Sequence, residues 1–138
     1  MTDFANEKNP AIYVKGDWAK KILSKEKTIE TRSKPLPKAW TNTPLWIIQT
    51  GDGPAKIVGR VIFSGYKKYN LDSWEEDADK HCVPIDNVEY AWSGTAPKYG
   101  WIIADIAPIQ PPVLAVGRKD IHHSPAGVWI PFSLTQQG

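Results

Sequence analysis

Only two short stretches of this chain place apolar residues at helical spacing. Twelve prolines and ten glycines in 138 residues cut the remainder into runs suited to strands and turns. "GDWAKKILS" (16–24) predicts a short helix with Asp17 as cap, Trp18 and Ile22 as an i,i+4 apolar pair beside Ala19 and Leu23, and Lys20 and Lys21 turned outward. "DSWEEDADKHC" (72–82) predicts a second, capped by Asp72 or Ser73, with Glu75, Glu76 and Asp77 at the positive end of its amide dipole. Strands are expected at 28–32, "LWIIQT", "AKIVGRVIFSGYKKY", "YGWIIADI", "PPVLAV" and "GVWIPF". A proline-containing turn separates the fourth from the fifth, and "KPLPKAWTNTP" forms an ordered, non-helical loop. Several strands with two short helices imply an α+β fold: a small mixed β-barrel with two or more short flanking helices. One domain over 11–134 is expected, after a flexible N-terminal segment, 1–10.

Composition narrows the class. With 41% hydrophobic and 23% charged residues, the chain reads as an ordinary soluble globule. Cys82 is its one cysteine, which excludes an intrachain disulfide and points to the cytoplasm. No apolar run approaches the length of a bilayer span, and "MTDFANEKNP" has no leader pattern, so no membrane partner is expected.

The formal charge of +2 says less than its distribution. From Lys15 to Lys38 eight basic residues face three acids, and from Leu71 to Tyr90 seven acids face Lys80 alone. A basic rim for phosphate is one reading, a pair of solvated patches the other. The acidic stretch 72–86 could equally serve a basic protein partner.

The segment "SKEKTIETRSKPLPKAW" carries the sharpest local feature. Strand alternation puts Glu30 and Arg32 on one face, with Lys27 at the junction with the preceding helix. A desolvated Lys27 can act as a general base or contact phosphate, and Glu30 can accept from a base amino group. Arg32 can hold Glu30 ionised or bind a ligand oxygen bidentately. The plain alternative is a surface salt bridge worth about 0.5 kcal/mol. Of seven tryptophans, Trp46, Trp101 and Trp129 sit in apolar strand runs and read as core. Trp40, beside the proline loop, is open to base stacking or to loop anchoring. His81, Cys82, His122 and His123 lack metal-ligand spacing, Cys82 reads as a small buried hydrophobe, and no glycine-rich phosphate loop is present. Neither a metal nor a cofactor is expected.

The stretch "DWAKKILSKEKTIETRSKPLP", followed by "KIVGRVIFSG", "YGWIIADI", "PPV" and "GVWI", resembles the ASCH domain family of the PUA-like superfamily over roughly residues 11–131. Its most specific element is the signature Gly-x-Lys-x-x-Glu-x-Arg, matched at Lys27, Glu30 and Arg32. Lys25 stands where the signature carries glycine, which a lysine can replace if the backbone there is not left-handed. The resemblance implies a PUA-like barrel with a motif-lined cleft and a role in RNA-linked processes. Members of the family include amidohydrolases that deacylate N4-acetylcytidine and others described as ribonucleases. The amidohydrolases are similar in having a lysine at the Lys27 position, but carry threonine at the Glu30 position and need a glutamate from a later strand. By order Glu89 is the nearest candidate for that glutamate, with Glu75 and Glu76 more simply helix-start residues.

Three functions are therefore weighed. In the first, a cleft containing Lys27, Glu30 and Arg32 binds RNA or a modified nucleoside, with Lys15, Lys20, Lys21, Lys25, Lys34 and Lys38 as a phosphate-attracting rim and Trp40 or Tyr99 stacking a base. In the second, the same three residues catalyse hydrolysis of a nucleoside amide or an RNA phosphodiester. The third is a protein-interaction module, whose Lys27 cleft would be closed or filled by Trp40 and the proline loop.

Overall fold

The computed structural model describes residues 8–51, 53–84, 86–87, 91–114, 122–124 and 127–131, the backbone alone at 8–9, 122–124 and 127–131. The chain runs β1 (Lys8–Lys15), α1 (Gly16–Leu23), β2 (Ile29–Arg32), a 3₁₀ turn (Lys38–Trp40), β3 (Pro44–Thr50), β4 (Lys56–Lys68), α2 (Leu71–Glu76), α3 (Ala78–His81), β5 (Tyr99–Leu114), β6 (His122–Ser124) and β7 (Gly127–Pro131). The strands form one mixed sheet in the order β2-β5-β4-β3-β1-β7-β6, with β1 and β3 parallel and all other pairs antiparallel.

The class is α+β as expected, but the barrel is not closed. β7 pairs with residues 8–11 of β1 only, and among the described residues no backbone ladder joins β1 to β2. Instead the Arg32 guanidinium on β2 donates to the Tyr13 carbonyl on β1, 2.8 Å away. A side chain therefore spans the seam that a ladder would have sealed, and the seam keeps room for a cavity. Several local expectations are also corrected. "YGWIIADI" and the "PPVL" of "PPVLAV" are one strand, β5, whose register shifts against β4 absorb the irregularity that the prolines suggest as a turn, while Ala115 and Val116 lie outside the described residues. The acidic helix is two short helices, capped at Asn70 in a reciprocal box with Ser73 rather than at Asp72 or Ser73. Asp17 lies in the first turn of α1, whose cap position is Lys15, and the proline loop contains a 3₁₀ turn. Strand β1 begins at Lys8, inside the segment expected to be flexible.

The main core joins Ile12 and Val14 of β1, Ala19 and Ile22 of α1, Leu45 and Ile47 of β3, Val58, Val61 and Phe63 of β4, and Trp101 of β5. Helix α1 thus packs its apolar face against the sheet, as its spacing predicts. Phe63 and Trp101 meet edge to face at 5.4 Å, and Trp40 closes on Trp101 at 6.5 Å.

How α1 ends matters for the site. Ser24 is the C-cap, and Lys25 follows with φ +70°, in the left-handed region. The condition under which lysine could replace the signature's glycine is therefore not met, and Lys25 carries the Cβ penalty of roughly 1–2 kcal/mol. Lys25→Gly should raise stability by roughly 0.5–1 kcal/mol, the strain relieved exceeding the added flexibility of the unfolded chain. A melting midpoint equal to or below wild type would refute this account of the turn.

Candidate functional site

The left-handed turn at Lys25 swings the chain from α1 into β2, and the Lys27 amide hydrogen-bonds back to the Lys21 carbonyl at 3.0 Å. The Lys27 side chain then runs inward and is 2% exposed. Its ammonium donates to the His81 carbonyl, stands 4.0 Å from Glu30 Oε1 and lies 5.2 Å from the centre of a Trp18 ring. Burial pulls the Lys27 pKa below the ordinary lysine value. Glu30, and more weakly Cys82, oppose that shift, while Arg32 and Lys21 reinforce it.

Glu30 is buried as well, and the alternation of β2 sets it beside Arg32. Arg32 Nε and Nη2 donate to Glu30 Oε2 at 3.2 and 2.8 Å, while Glu30 Oε1 accepts the Thr31 amide at 3.2 Å and faces Lys27. The pair is half buried and two-pronged, unlike the solvated bridge that spacing alone also allowed.

Two short helices hold the Lys27 acceptor in place. His81 Nδ1 accepts the Val83 amide at 3.0 Å, which puts the ring proton on Nε2, where it donates to the Trp74 carbonyl at 2.8 Å. The ring stacks on Trp74 at 3.8 Å, and burial, with help from Lys27, lowers its pKa, in keeping with a ring that accepts through Nδ1. Cys82 follows with φ +61°, half exposed rather than buried, its thiol directed at the Glu26 and Asp79 carbonyls. Asp77 ties these helices to the end of β4, accepting from the Tyr69 hydroxyl at 2.8 Å and pairing with Lys67 at 2.6 Å. Burial alone would raise the Asp77 pKa, but the bonds from Lys67 and Tyr69 hold it low. Asp77 is thus a buried anchor, whereas Asp72, Glu75, Glu76, Asp79 and Asp86 remain exposed.

Together these elements surround a cavity of about 410 Å³ at the seam, lined by Tyr13, Val14 and Lys15 of β1, Trp18 of α1, Lys27, Glu30, Thr31, Arg32, Ser33, Thr50, Val83 and Lys98. Lys27, Glu30, Arg32 and Lys15 are brought together there. Lys20, Lys21, Lys25, Lys34 and Lys38 lie outside the lining, with Lys21 4.0 Å from Glu26. Trp40 and Tyr99 do not reach the cavity, because Trp40 packs on Trp101 and Tyr99 pairs with Tyr66 at 5.8 Å. Trp40 therefore neither stacks over the cavity nor fills it. Glu89 lies outside the described residues, as do the side chains of His122, His123 and Trp129. Glu30 is the one carboxylate among the described lining residues.

Sequence reasoning missed Lys98, Tyr13 and Val83 as lining residues, Trp18 as a cavity wall in addition to its packing on the core, and His81 as the Lys27 acceptor. Lys98 precedes β5, opposite the chain that leaves β2, and reaches the site through antiparallel pairing.

An open mixed sheet, with a short helix leading into a charged strand at its seam, defines an ASCH-like α+β fold. The fold is similar to that of an ASCH protein from Zymomonas mobilis, with TM-score 0.65 and 21% identity over 78% of this chain and 73% of that one. A tyrosine-to-phenylalanine variant of the same protein aligns at TM-score 0.65, 21% identity and 78% and 76% coverage. A serine-to-alanine variant aligns at 0.63, 21% and 80% and 75%. No family model matches the sequence, and no curated protein matches it. The chain therefore has the ASCH fold, in agreement with the resemblance carried by Lys27, Glu30 and Arg32.

Proposed function

We propose that the cavity receives an amino-bearing pyrimidine, either as a modified nucleoside or as the unstacked base of an RNA strand. The observation that carries this reading is that Lys27 and Glu30, both almost wholly withdrawn from water, face each other at 4.0 Å on the wall of a cavity of about 410 Å³. That volume lies within the range of small-ligand sites, about 300–1,000 Å³. Glu30 Oε1 has acceptor capacity left beyond the Thr31 amide, and an exocyclic amino group is the base feature that a carboxylate reads. The Trp18 ring and Val14 supply apolar wall for the base face.

A second reading, hydrolysis of an acyl amide on that exocyclic nitrogen, is favoured by the lowered Lys27 pKa. The neutral amine would take a proton from water as the water oxygen bonds to the acyl carbon. The carbon–nitrogen bond then breaks, and the proton passes to the departing amine, with Glu30 orienting the water. Arg32 Nη1 would meet the oxyanion, its Nε and Nη2 being held by Glu30 and Tyr13.

Calorimetric titration with cytidine, N4-acetylcytidine and a single-stranded cytidine-rich RNA tests both readings. Saturable binding is expected, weakened at least tenfold in Lys27→Ala. Release of acetate from N4-acetylcytidine by wild type but not by Lys27→Ala would make the site catalytic, whereas binding without release would make it a recognition cleft. If none of the three ligands binds, both readings are wrong.

A further inference from the structure

Resting on that base-binding reading, we propose that the cavity mouth contains a phosphate subsite formed by Lys98, Arg32 and Ser33, so that the ligand is a nucleotide rather than a free nucleoside. Lys98 lines the cavity half buried, yet among the described residues its ammonium makes no hydrogen bond and no ion pair. The carboxylate that acts on it, Glu30, is already engaged by the Arg32 fork and by Lys27. Withdrawal from water lowers the Lys98 pKa, as expected of a cation with no anion close enough to offset desolvation. A half-buried, uncompensated lysine is costly unless a ligand supplies the charge.

The backbone places Lys98 for this role. Its carbonyl accepts the Tyr69 amide at 2.9 Å, which fixes the entry to β5. The pairing of Arg32 with Tyr99 leaves the next residues, Ser33 and Lys98, across from each other at the end of the β2–β5 ladder. Arg32 uses Nε and Nη2 on Glu30 and Tyr13, leaving Nη1 with donor capacity for a ligand. Ser33, exposed and among the lining residues, can add a hydroxyl. An ammonium, a guanidinium edge and a hydroxyl together match the tetrahedral oxygens of a phosphate ester better than a planar base. The phosphate could belong to a mononucleotide or to an RNA linkage.

The test compares dissociation constants for cytidine, cytidine 5′-monophosphate, cytidine 3′-monophosphate and a cytidine trinucleotide, in wild type and Lys98→Gln, at low and high salt. At least one monophosphate, or the trinucleotide, should bind tenfold or more tighter than cytidine at low salt. High salt should narrow that advantage, and Lys98→Gln should cut affinity for the phosphate-bearing ligand by about fivefold or more beyond any loss it causes for cytidine. A preference for a monophosphate marks a mononucleotide site, and one confined to the trinucleotide marks an RNA linkage. Equal affinity for cytidine and every phosphate-bearing ligand, or an advantage that Lys98→Gln leaves undiminished, overturns the subsite and leaves the base-binding reading standing. Binding of none of the four overturns both.

Discussion

Lys27→Met should lose ligand binding, and any turnover, by about 100-fold while remaining folded within about 1 kcal/mol of wild type. A hydrogen bond from a charged or strongly polar donor contributes roughly 1.5–3 kcal/mol, which sets the size of the binding loss. The stability expectation follows from what methionine leaves behind. The hydrocarbon volume is kept and a buried amine is removed. Glu30 is not orphaned, because Arg32 holds it at 2.8 Å, so the large penalty for stranding a buried charge does not arise. The His81 carbonyl loses its donor, a cost of about 1 kcal/mol or more that offsets the relief of desolvation.

The same substitution has a pH signature. In the unfolded chain Lys27 keeps its proton up to about the ordinary lysine pKa of 10.5, whereas in the folded protein it gives the proton up at lower pH. Between those two values the unfolded state binds more protons, so raising the pH favours the folded state. The penalty is complete below the folded pKa and fades as pH rises through the window. Melting curves of wild type and Lys27→Met over a series of alkaline buffers should therefore show wild type gaining on the variant as pH increases. A difference independent of pH would mean that Lys27 is not desolvated in the way its surroundings indicate.

Gly100→Ala should cost about 3 kcal/mol, at the upper end of what overpacking a filled core does. A Cβ at Gly100 would lie 2.7 Å from the Tyr69 hydroxyl oxygen and 2.8 Å from both Ile29 Cγ2 and Tyr69 Cε2. Neither neighbour can yield easily: Tyr69 is bonded to Asp77 and Ile29 lies in the paired stretch of β2, and both are buried. The melting midpoint should fall by about 10 °C for a chain of this size. Binding should weaken too, since Ile29 precedes Glu30 and the Tyr69–Asp77 bond anchors the helices that carry His81. Gly65, on the neighbouring strand β4, has no atom within 4 Å of its Cβ position, so Gly65→Ala is the control and should be nearly silent. Gly100→Ala melting within 2 °C of wild type would show that the close approach is not a real constraint.

Much of the fold was legible where periodicity is strong. Helix α1, strands β2, β3 and β4, and the last strand lie close to where apolar spacing and turn residues place them. The failures share a cause: long-range pairing overrode a local signal. β5 continues through its prolines because β4 pairs with it as far as Leu114. β1 forms from an unremarkable segment because it has β3 on one side and β7 on the other. Trp40 looks available beside a proline loop, yet Trp101, distant in sequence, takes up its face. Local residues cannot announce a partner sixty positions away.

For the site, the sequence by itself determined which charges share a strand face, because the period of two places Glu30 and Arg32 together whatever lies around them. It also determined that a helix precedes them. Only the tertiary structure decided that Lys27 turns inward to a carbonyl held by His81, that Lys98 joins from another strand, and that the sheet stops short of closing between β1 and β2. Those outcomes depend on desolvation and on contacts between residues tens of positions apart, which no spacing rule along one chain contains.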